Sequence, residues 1–202
     1  MTNPNINILC RTHNRESYFK VMFDSIKQQT YPNYALIVGS DVQPCEYYRF
    51  ARPLKLEVRP DNLIVPQGHY YAPWNLHLNT LAESVTQGWL MYLDSDDKFS
   101  DNDSLQIIVD NIDHEDQLLI WRVMITKDFI VPRLEDFGKV IAPANISGIG
   151  IAFHSKHLPV HWTNISYGDF RIIVELVNRG LQPKFINKIL TQCQNGPHNG
   201  LG

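Results

Sequence analysis

Two short apolar runs, residues 6–10 (INILC) and 34–39 (YALIVG), flank a stretch in which Phe19, Met22, Phe23 and Ile26 recur with a helical period. Strand, helix and strand in so short a span make a crossover unit, which parallel strands require and a simple hairpin fold does not use. The opening therefore commits the chain to a parallel sheet covered by helices. Thr30-Tyr31-Pro32-Asn33 ends the helix, since proline cannot donate to the ladder and asparagine suits turns. The pattern then repeats. Residues 54–58 read as a third strand, and Trp74, Leu78, Leu81, Ala82 and Val85 as a helical stripe. Residues 89–93 (WLMYL) read as a fully buried strand, Asp103 as the N-cap of a helix through Leu105, Ile108 and Ile112, and residues 117–125 as a central strand. The second half is less regular. Strand-like pieces fall at 128–132, 139–142 and 149–153, and a helix carrying Phe170, Ile173, Val174 and Val177 stops at Gly180 before a loop at 195–200.

No internal repeat is visible, and 202 residues are read as a single domain, 1–202. Hydrophobic residues at 44% and charged residues at 19% exclude wholesale disorder. With 18 Lys+Arg against 21 Asp+Glu the chain lacks the basic excess of a nucleic-acid binder, so no nucleic-acid partner is expected. Three cysteines (Cys10, Cys45, Cys193) cannot all pair and form no Cys-x-x-Cys, which argues against a disulfide scaffold or zinc ribbon and fits a reducing compartment. No run is long and apolar enough for a membrane span, and the opening MTNPN does not read as a signal peptide. The expectation is a soluble, cytoplasmic domain, in which the sequons at Asn102, Asn145 and Asn164 carry nothing.

The apolar strand at 89–93 runs straight into Asp94-Ser95-Asp96-Asp97. In open parallel sheets ligands bind beyond the carboxyl ends of the strands. Three carboxylates so close repel one another unless a cation or several amide donors compensate, and hard oxygen ligands suit Mg²⁺ or Mn²⁺ with a phosphate as co-ligand. A solvated acidic turn is the plain alternative, and the position at a strand end favours the metal site over it. Other motifs fail on spacing. An EF-hand opening at Asp94 would need glycine at 99 and glutamate at 105, where Phe99 and Leu105 stand. There is no Walker loop and no Gly-x-Ser-x-Gly, and Gly148-Ile149-Gly150 lacks a third glycine. Pro159 breaks any helix that could align His154, His157 and His161 as zinc ligands.

The run NINILCRTHNRESYFKVMFDSIKQQTYPNYALIVGSD resembles the opening of family 2-like glycosyltransferases of the GT-A fold, and WNLHLNTLAESVTQGWLMYLDSDDKF resembles their next block, ending in an Asp-x-Asp motif. ISGIGIAFHSK resembles an acceptor-side segment, and YGDFRIIVELVNRG the helix that begins with the catalytic base. The resemblance implies an α/β GT-A fold, a Rossmann-like half with a mostly parallel sheet at 1–99 and an irregular acceptor-side half at 100–202. It implies that Thr12 and His13 lie against the nucleotide base and that Asp41 accepts from the uracil ring. Asp94 with Ser95 would approach the ribose, Asp96 would bind a divalent metal (Mn²⁺ or Mg²⁺) with Asp94, and His198 could complete the metal shell. Asp169 matches the base, although Gly168 stands where the family has an acidic residue. Asn75 and Asn79 occupy the helix that usually carries an Arg-Asn pair.

Read from the residues alone, Asp169 is equally an N-cap, Asp41 a turn residue and His198 a surface histidine. Arg11 and Arg15 face phosphates or pair with nearby acids, and the sequence does not separate these. Tyr70, Tyr71 and Trp74 read as half-buried core aromatics in preference to a sugar platform. The function expected is metal-dependent, inverting transfer of a hexose from a nucleotide sugar, UDP-linked, to a glycan hydroxyl, in a chain that could belong to a larger multidomain polypeptide. A binding-only domain and a sugar-nucleotide pyrophosphorylase are the alternatives; the latter would carry a glycine-rich loop after the first strand, whereas the first glycine here is Gly39.

Overall fold

The computed structural model describes residues 3–40, 52–53, 65–139 and 141–194. The strand expected at 54–58, Asp41, Cys45, His198 and the terminal loop lie outside the described residues. The elements in chain order are β1 (Ile6–Thr12), α1 (Glu16–Lys27), β2 (Tyr34–Ser40), β3 (Arg52–Pro53), α2 (Leu76–Glu83, entered through a 3₁₀ turn at Pro73–Asn75), β4 (Trp89–Tyr92), β5 (Asp97–Phe99), α3 (Ser104–Asp110), β6 (Gln117–Thr126), β7 (Phe129–Val131), β8 (Ile151–His154), α4 (Gly168–Asn178) and β9 (Gln182–Cys193).

One sheet runs β3-β2-β1-β4-β8-β6-β9-β5, with β7 paired to β6. β3, β2, β1 and β4 are mutually parallel, β8 runs against both β4 and β6, and β6 and β9 are parallel. Six strands of the path thus point one way, with β8 and the short β5 reversed. This is a mostly parallel α/β sheet with antiparallel insertions in its second half.

Alternating side chains of the central strands feed two cores, as the pleat requires. Ile6, Ile8 and Cys10 of β1, Met91 of β4 and Trp121 of β6 face α1 and α3, and pack on Phe19, Met22, Leu105 and Ile108. Leu9, Leu90, Leu118 and Ile120 face the other way, onto Leu78 and Leu81 of α2 and Ile172, Ile173 and Leu176 of α4. Each such aliphatic side chain stabilises the fold by about 1.5–3 kcal/mol on full burial. Asn7, in the middle of β1, keeps its amide satisfied by donating to the Gln87 and Trp89 carbonyls at 2.9 and 3.0 Å.

Local structure departs from expectation in several places. Asp103 precedes α3 but makes no side-chain cap; Gln29 Oε1 reaches over to accept from Leu105 N–H at 2.9 Å. The buried stripe of α4 is Ile172, Ile173 and Leu176, so the helix is rotated from the phase in which Phe170 and Val174 face inward. Gly180, at φ +98, ends α4 as expected, its N–H meeting Val177 O at 2.9 Å while Leu181 N–H meets Leu176 O at 3.2 Å. Around 139–142 the described residues form no strand. β5 and the 12-residue β9 have no counterpart in the pattern read from the sequence.

Candidate active site

β4 ends at Tyr92 and delivers Leu93 and Asp94 beyond its carboxyl end, where Ser95 N–H bonds Arg11 O at 3.1 Å and Asp97 N–H bonds Asp94 O at 3.0 Å. This tight turn gathers one carboxylate oxygen from each of Asp94, Asp96 and Asp97 within 4.8 Å of one another. Two arginines compensate. Arg11 donates to Asp94 through its backbone at 3.2 Å and its guanidinium at 2.5 Å, and Arg15 meets Asp96 at 2.6 Å. Pairing with these acids is therefore the arrangement present, while Arg11 Nη1 is buried without a hydrogen-bond partner among the described residues.

Among the described residues no cation pairs with Asp97. Asp97 is 7% exposed, and burial first, then the charges of Asp96 and Asp94, push its carboxyl well above the usual carboxylate range. Burial raises Asp94 as well, against the pull of Arg11. The Cys193 thiol, at the end of β9, hydrogen-bonds Asp97 and is itself pushed up by burial and by that carboxylate. Next along the chain, Gln194 Nε2 lies 3.0–3.2 Å from the carbonyls of Tyr18, Ser95 and Asp97, and Gln194 N–H meets Asp96 O at 2.9 Å. The last described residue thus clamps the acidic turn, a role that an isolated glutamine in the sequence does not signal.

Thr12, His13, Arg15, Ser95 and Asp96 line one narrow crevice together with Trp74. Thr12 is buried and its hydroxyl makes no hydrogen bond among the described residues. Trp74 also borders a second, larger cavity of about 230 Å³, which Arg11, Asp94, Asp97 and Asp169 share. The residues picked out around the acidic motif and the distant Asp169 thus converge on adjoining spaces.

Asp169 stands in the first turn of α4. Its Oδ1 accepts from Phe170 N–H at 2.8 Å, and the Gly148 N–H also faces the carboxylate. Burial outweighs these donors and raises its pKa above the ordinary value. Packing leaves no room for a side chain at Gly168 and little at Gly148. A Cβ on Gly168 would come within 2.8 Å of Asn75 Nδ2 and 2.9 Å of Trp162 Cε3, and one on Gly148 within 3.1 Å of Trp162 Cη2. Trp162 fills the space that an acidic side chain at 168 would need, which accounts for the glycine there.

Asn75 and Asn79 are taken up by structure. Asn79 donates to Trp162 O at 3.0 Å and accepts from Trp162 N–H at 2.8 Å, while Asn75 Nδ2 reaches Thr163 O at 3.1 Å and Ile165 O at 3.4 Å. They fix the segment leading into α4; Asn75 borders the larger cavity and Asn79 does not. His154, His157 and His161 do not converge, each pairing with acids of its own: Glu115, Asp116 and Glu175. Tyr70 corrects the expectation of a half-buried core aromatic, since it is 62% exposed.

Comparison with known proteins agrees with this layout. The family model for glycosyl transferase family 2 matches residues 8–138, more than half of the chain. Among solved structures, S. aureus TarS 1-349 superposes with a TM-score of 0.69 at 16% identity, covering 94% of this chain and 60% of that one. TarS 1-349 in complex with UDP-GlcNAc gives 0.69 at 16% identity over 98% and 61%. The mannosyltransferase PcManGT from Pyrobaculum calidifontis, in complex with GDP-Man and Mn²⁺, gives 0.60 at 16% identity over 99% and 59%. The chain thus spans about 60% of the length of TarS 1-349. No curated protein sequence matches it. These structures share the GT-A fold with the present chain, and the match across β1 to β7, acidic turn included, places it in glycosyl transferase family 2.

Proposed function

We propose that the chain transfers a hexose from a nucleoside diphosphate donor, UDP-linked, to a hydroxyl of a glycan, with inversion at the anomeric carbon. The observation that carries this reading is the shared cavity: Asp94 and Asp97 of the acidic triad, Arg11 and the buried Asp169 carboxylate at a helix start all line it. The donors bound by the structural relatives, UDP-GlcNAc and GDP-Man, support the nucleotide-sugar class.

The triad fits a divalent cation by its chemistry, three hard carboxylate oxygens within 4.8 Å that face only two arginines among the described residues. Bound there, Mn²⁺ or Mg²⁺ would supply a Lewis acid for the negative charge that grows on the leaving diphosphate. Asp96 and Asp94 would hold it, Asp96 exchanging Arg15 for the cation. Arg11 has an unused guanidinium nitrogen with which to bind a phosphate oxygen. Thr12 and His13 line the crevice where the base would lie.

Asp169 then acts as general base. The acceptor hydroxyl gives its proton to the Asp169 carboxylate as its oxygen attacks the anomeric carbon, and the bond from that carbon to the diphosphate breaks with the electron pair leaving on phosphate. A carboxylate whose pKa is raised by burial is the stronger base for this step. The absence of an acid at 168 follows from the packing of Trp162, and so does not favour a binding-only domain. No helix among the described residues is long and apolar enough to cross a membrane. The reading is tested by proton NMR of the product formed from UDP-sugars with Mn²⁺ and a glycan mixture. Inverted anomeric configuration is expected, and a retained configuration contradicts the role given to Asp169.

A further inference from the structure

The cavity that contains Asp169 has an aromatic rim for which the transfer chemistry above has no use. Tyr70 is 62% exposed and Tyr167 40% exposed, and both border that cavity. Neither ring hangs from an unsupported loop. The segments around Tyr71 and Ile165 pair as a short antiparallel ribbon, with Ala72 N–H on Asn164 O at 2.8 Å and Ser166 N–H on Tyr70 O at 2.9 Å. Ser166 Oγ accepts from Tyr70 N–H at 3.2 Å and lies 3.0 Å from His69 Nδ1, and the His69 ring meets Tyr167 edge-on at 5.5 Å. Asn75 and Asn79 anchor the ribbon from below through Thr163, Ile165 and Trp162. Tyr167 takes a left-handed backbone, φ +61, which a bulky residue seldom adopts. It stands two positions before Asp169, and both residues line the cavity.

The charge around the cavity narrows what such a rim can receive. Among its described lining residues Arg11 is the sole cation, already engaged with Asp94, whereas Asp94, Asp97 and Asp169 are acids. A phosphorylated or carboxylated acceptor would meet the Asp169 carboxylate there, while Arg11 and a bound cation would already be engaged by the acidic turn and the donor diphosphate. A neutral ring with an apolar C–H face and an outward edge of hydroxyls suits exposed aromatic faces beside a polar cleft.

Resting on the function proposed above, we propose that Tyr70 and Tyr167 form the acceptor subsite, a stacking platform that selects an uncharged pyranose and presents one of its hydroxyls to Asp169. The subsite is distinct from the nucleotide crevice, which borders Thr12, His13 and Arg15. Tyr70 and Tyr167 therefore govern acceptor affinity and leave nucleotide affinity alone.

The test uses saturation-transfer NMR on the chain with nucleotide and Mn²⁺ present. The probes are the methyl glycosides of glucose, galactose, mannose and N-acetylglucosamine, with glucose 6-phosphate and glucuronate as charged comparators. Tyr70→Ala removes an exposed ring, and Tyr167→Gly removes the other while keeping a residue at ease with positive φ. At least one neutral glycoside should saturate more strongly than both charged probes. Its affinity should fall about three- to tenfold in each variant, with Tyr70→Phe restoring it, while the melting-temperature shift given by nucleotide and Mn²⁺ stays at the wild-type value. Binding of no neutral glycoside, stronger binding of a charged probe, or affinity unchanged in both variants would overturn the platform. Loss of the nucleotide shift in the wild-type chain is a separate outcome, and would bring down the function on which the platform rests.

Discussion

The acidic turn after β4 and the carboxylate at the start of α4 border one cavity but are built in opposite ways. Asp94, Asp96 and Asp97 are neighbours in sequence, and one strand end presents all three; Arg11 and Arg15 pair with the first two by charge, and Gln194 clamps the turn. Asp169 has no ion pair among the described residues and is positioned by backbone N–H donors and by the Trp162 ring packed beneath Gly148 and Gly168. The proposed metal site thus requires only that a cation take the place of an arginine side chain. The base end is fixed by packing, which has few alternative arrangements. This contrast suits the roles proposed for the two ends, a donor site that exchanges ligands and a base held in place for displacement.

The largest expected effect separates the two ends by function. Asp169→Asn keeps the size of the side chain and removes the base, so turnover should fall by about 10²–10⁴-fold while nucleotide binding is unchanged. Because the Asp169 pKa is raised and the ionised form is the active one, the acid limb of the wild-type pH–rate profile should lie above the ordinary carboxylate range. A limb at or below that range would remove Asp169 from the role.

Gly168→Ala probes the packing directly. The added Cβ must displace Asn75 Nδ2 or the Trp162 ring, and a loss of about 1–3 kcal/mol in unfolding free energy is expected from denaturant titration. The catalytic rate should drop with it, and unaltered turnover would show that the base end tolerates movement.

Thr191→Val reaches the same end from the core. Thr191 Oγ1 accepts from Trp121 Nε1 at 2.9 Å and donates to Ile149 O at 2.8 Å, joining β6 and β9 to the turn that holds Gly148. Leaving both partners unsatisfied should cost about 1–3 kcal/mol, measured in the same titration.

The smallest effect is at the acidic end and has the opposite sign. Asp97 has a folded-state pKa above its unfolded value, so its protonated form favours folding, and that contribution is lost as pH rises through the folded-state pKa. In EDTA at neutral pH, Asp97→Asn should therefore melt higher than wild type by about 2–4 °C, equivalent to about 1 kcal/mol for a chain of this size. The gain should shrink as pH falls toward the carboxylate range. A lower melting temperature in the variant would mean that Asp97 is stabilised as an anion.

How much of this was legible depended on how local each signal was. The crossover unit and the strand at 89–93 are contiguous apolar patterns, and they fold as the sequence indicates. β9 escaped because its pairing with β6 is interrupted twice: Trp121 faces Ile186, Arg122 faces Ile189 and Val123 faces Thr191, so two extra residues and then one more interrupt the ladder and the period-2 alternation is lost. α4 was found with Ile173 on its inward face, but the stripe was placed one residue out of phase, because Phe170 and Val174 are as apolar as the Ile172 and Leu176 that tertiary packing selects. At the site, the acidic triad is a strand-end motif and could be read directly. The roles of Gln194, Trp162 and Gly168 arise between segments far apart in the chain, and no single stretch carries them.

Everything proposed rests on the acidic turn being a metal-dependent nucleotide site. The direct measurement is the melting temperature of the chain with UDP, GDP and TDP, each with Mn²⁺ or with EDTA, repeated on Asp96→Ala. A ligand that binds the folded state raises that temperature by mass action, whatever the acceptor. The account expects UDP to give a shift that requires Mn²⁺ and disappears in Asp96→Ala. No shift with any nucleotide, or one that persists in EDTA and in the variant, would contradict it.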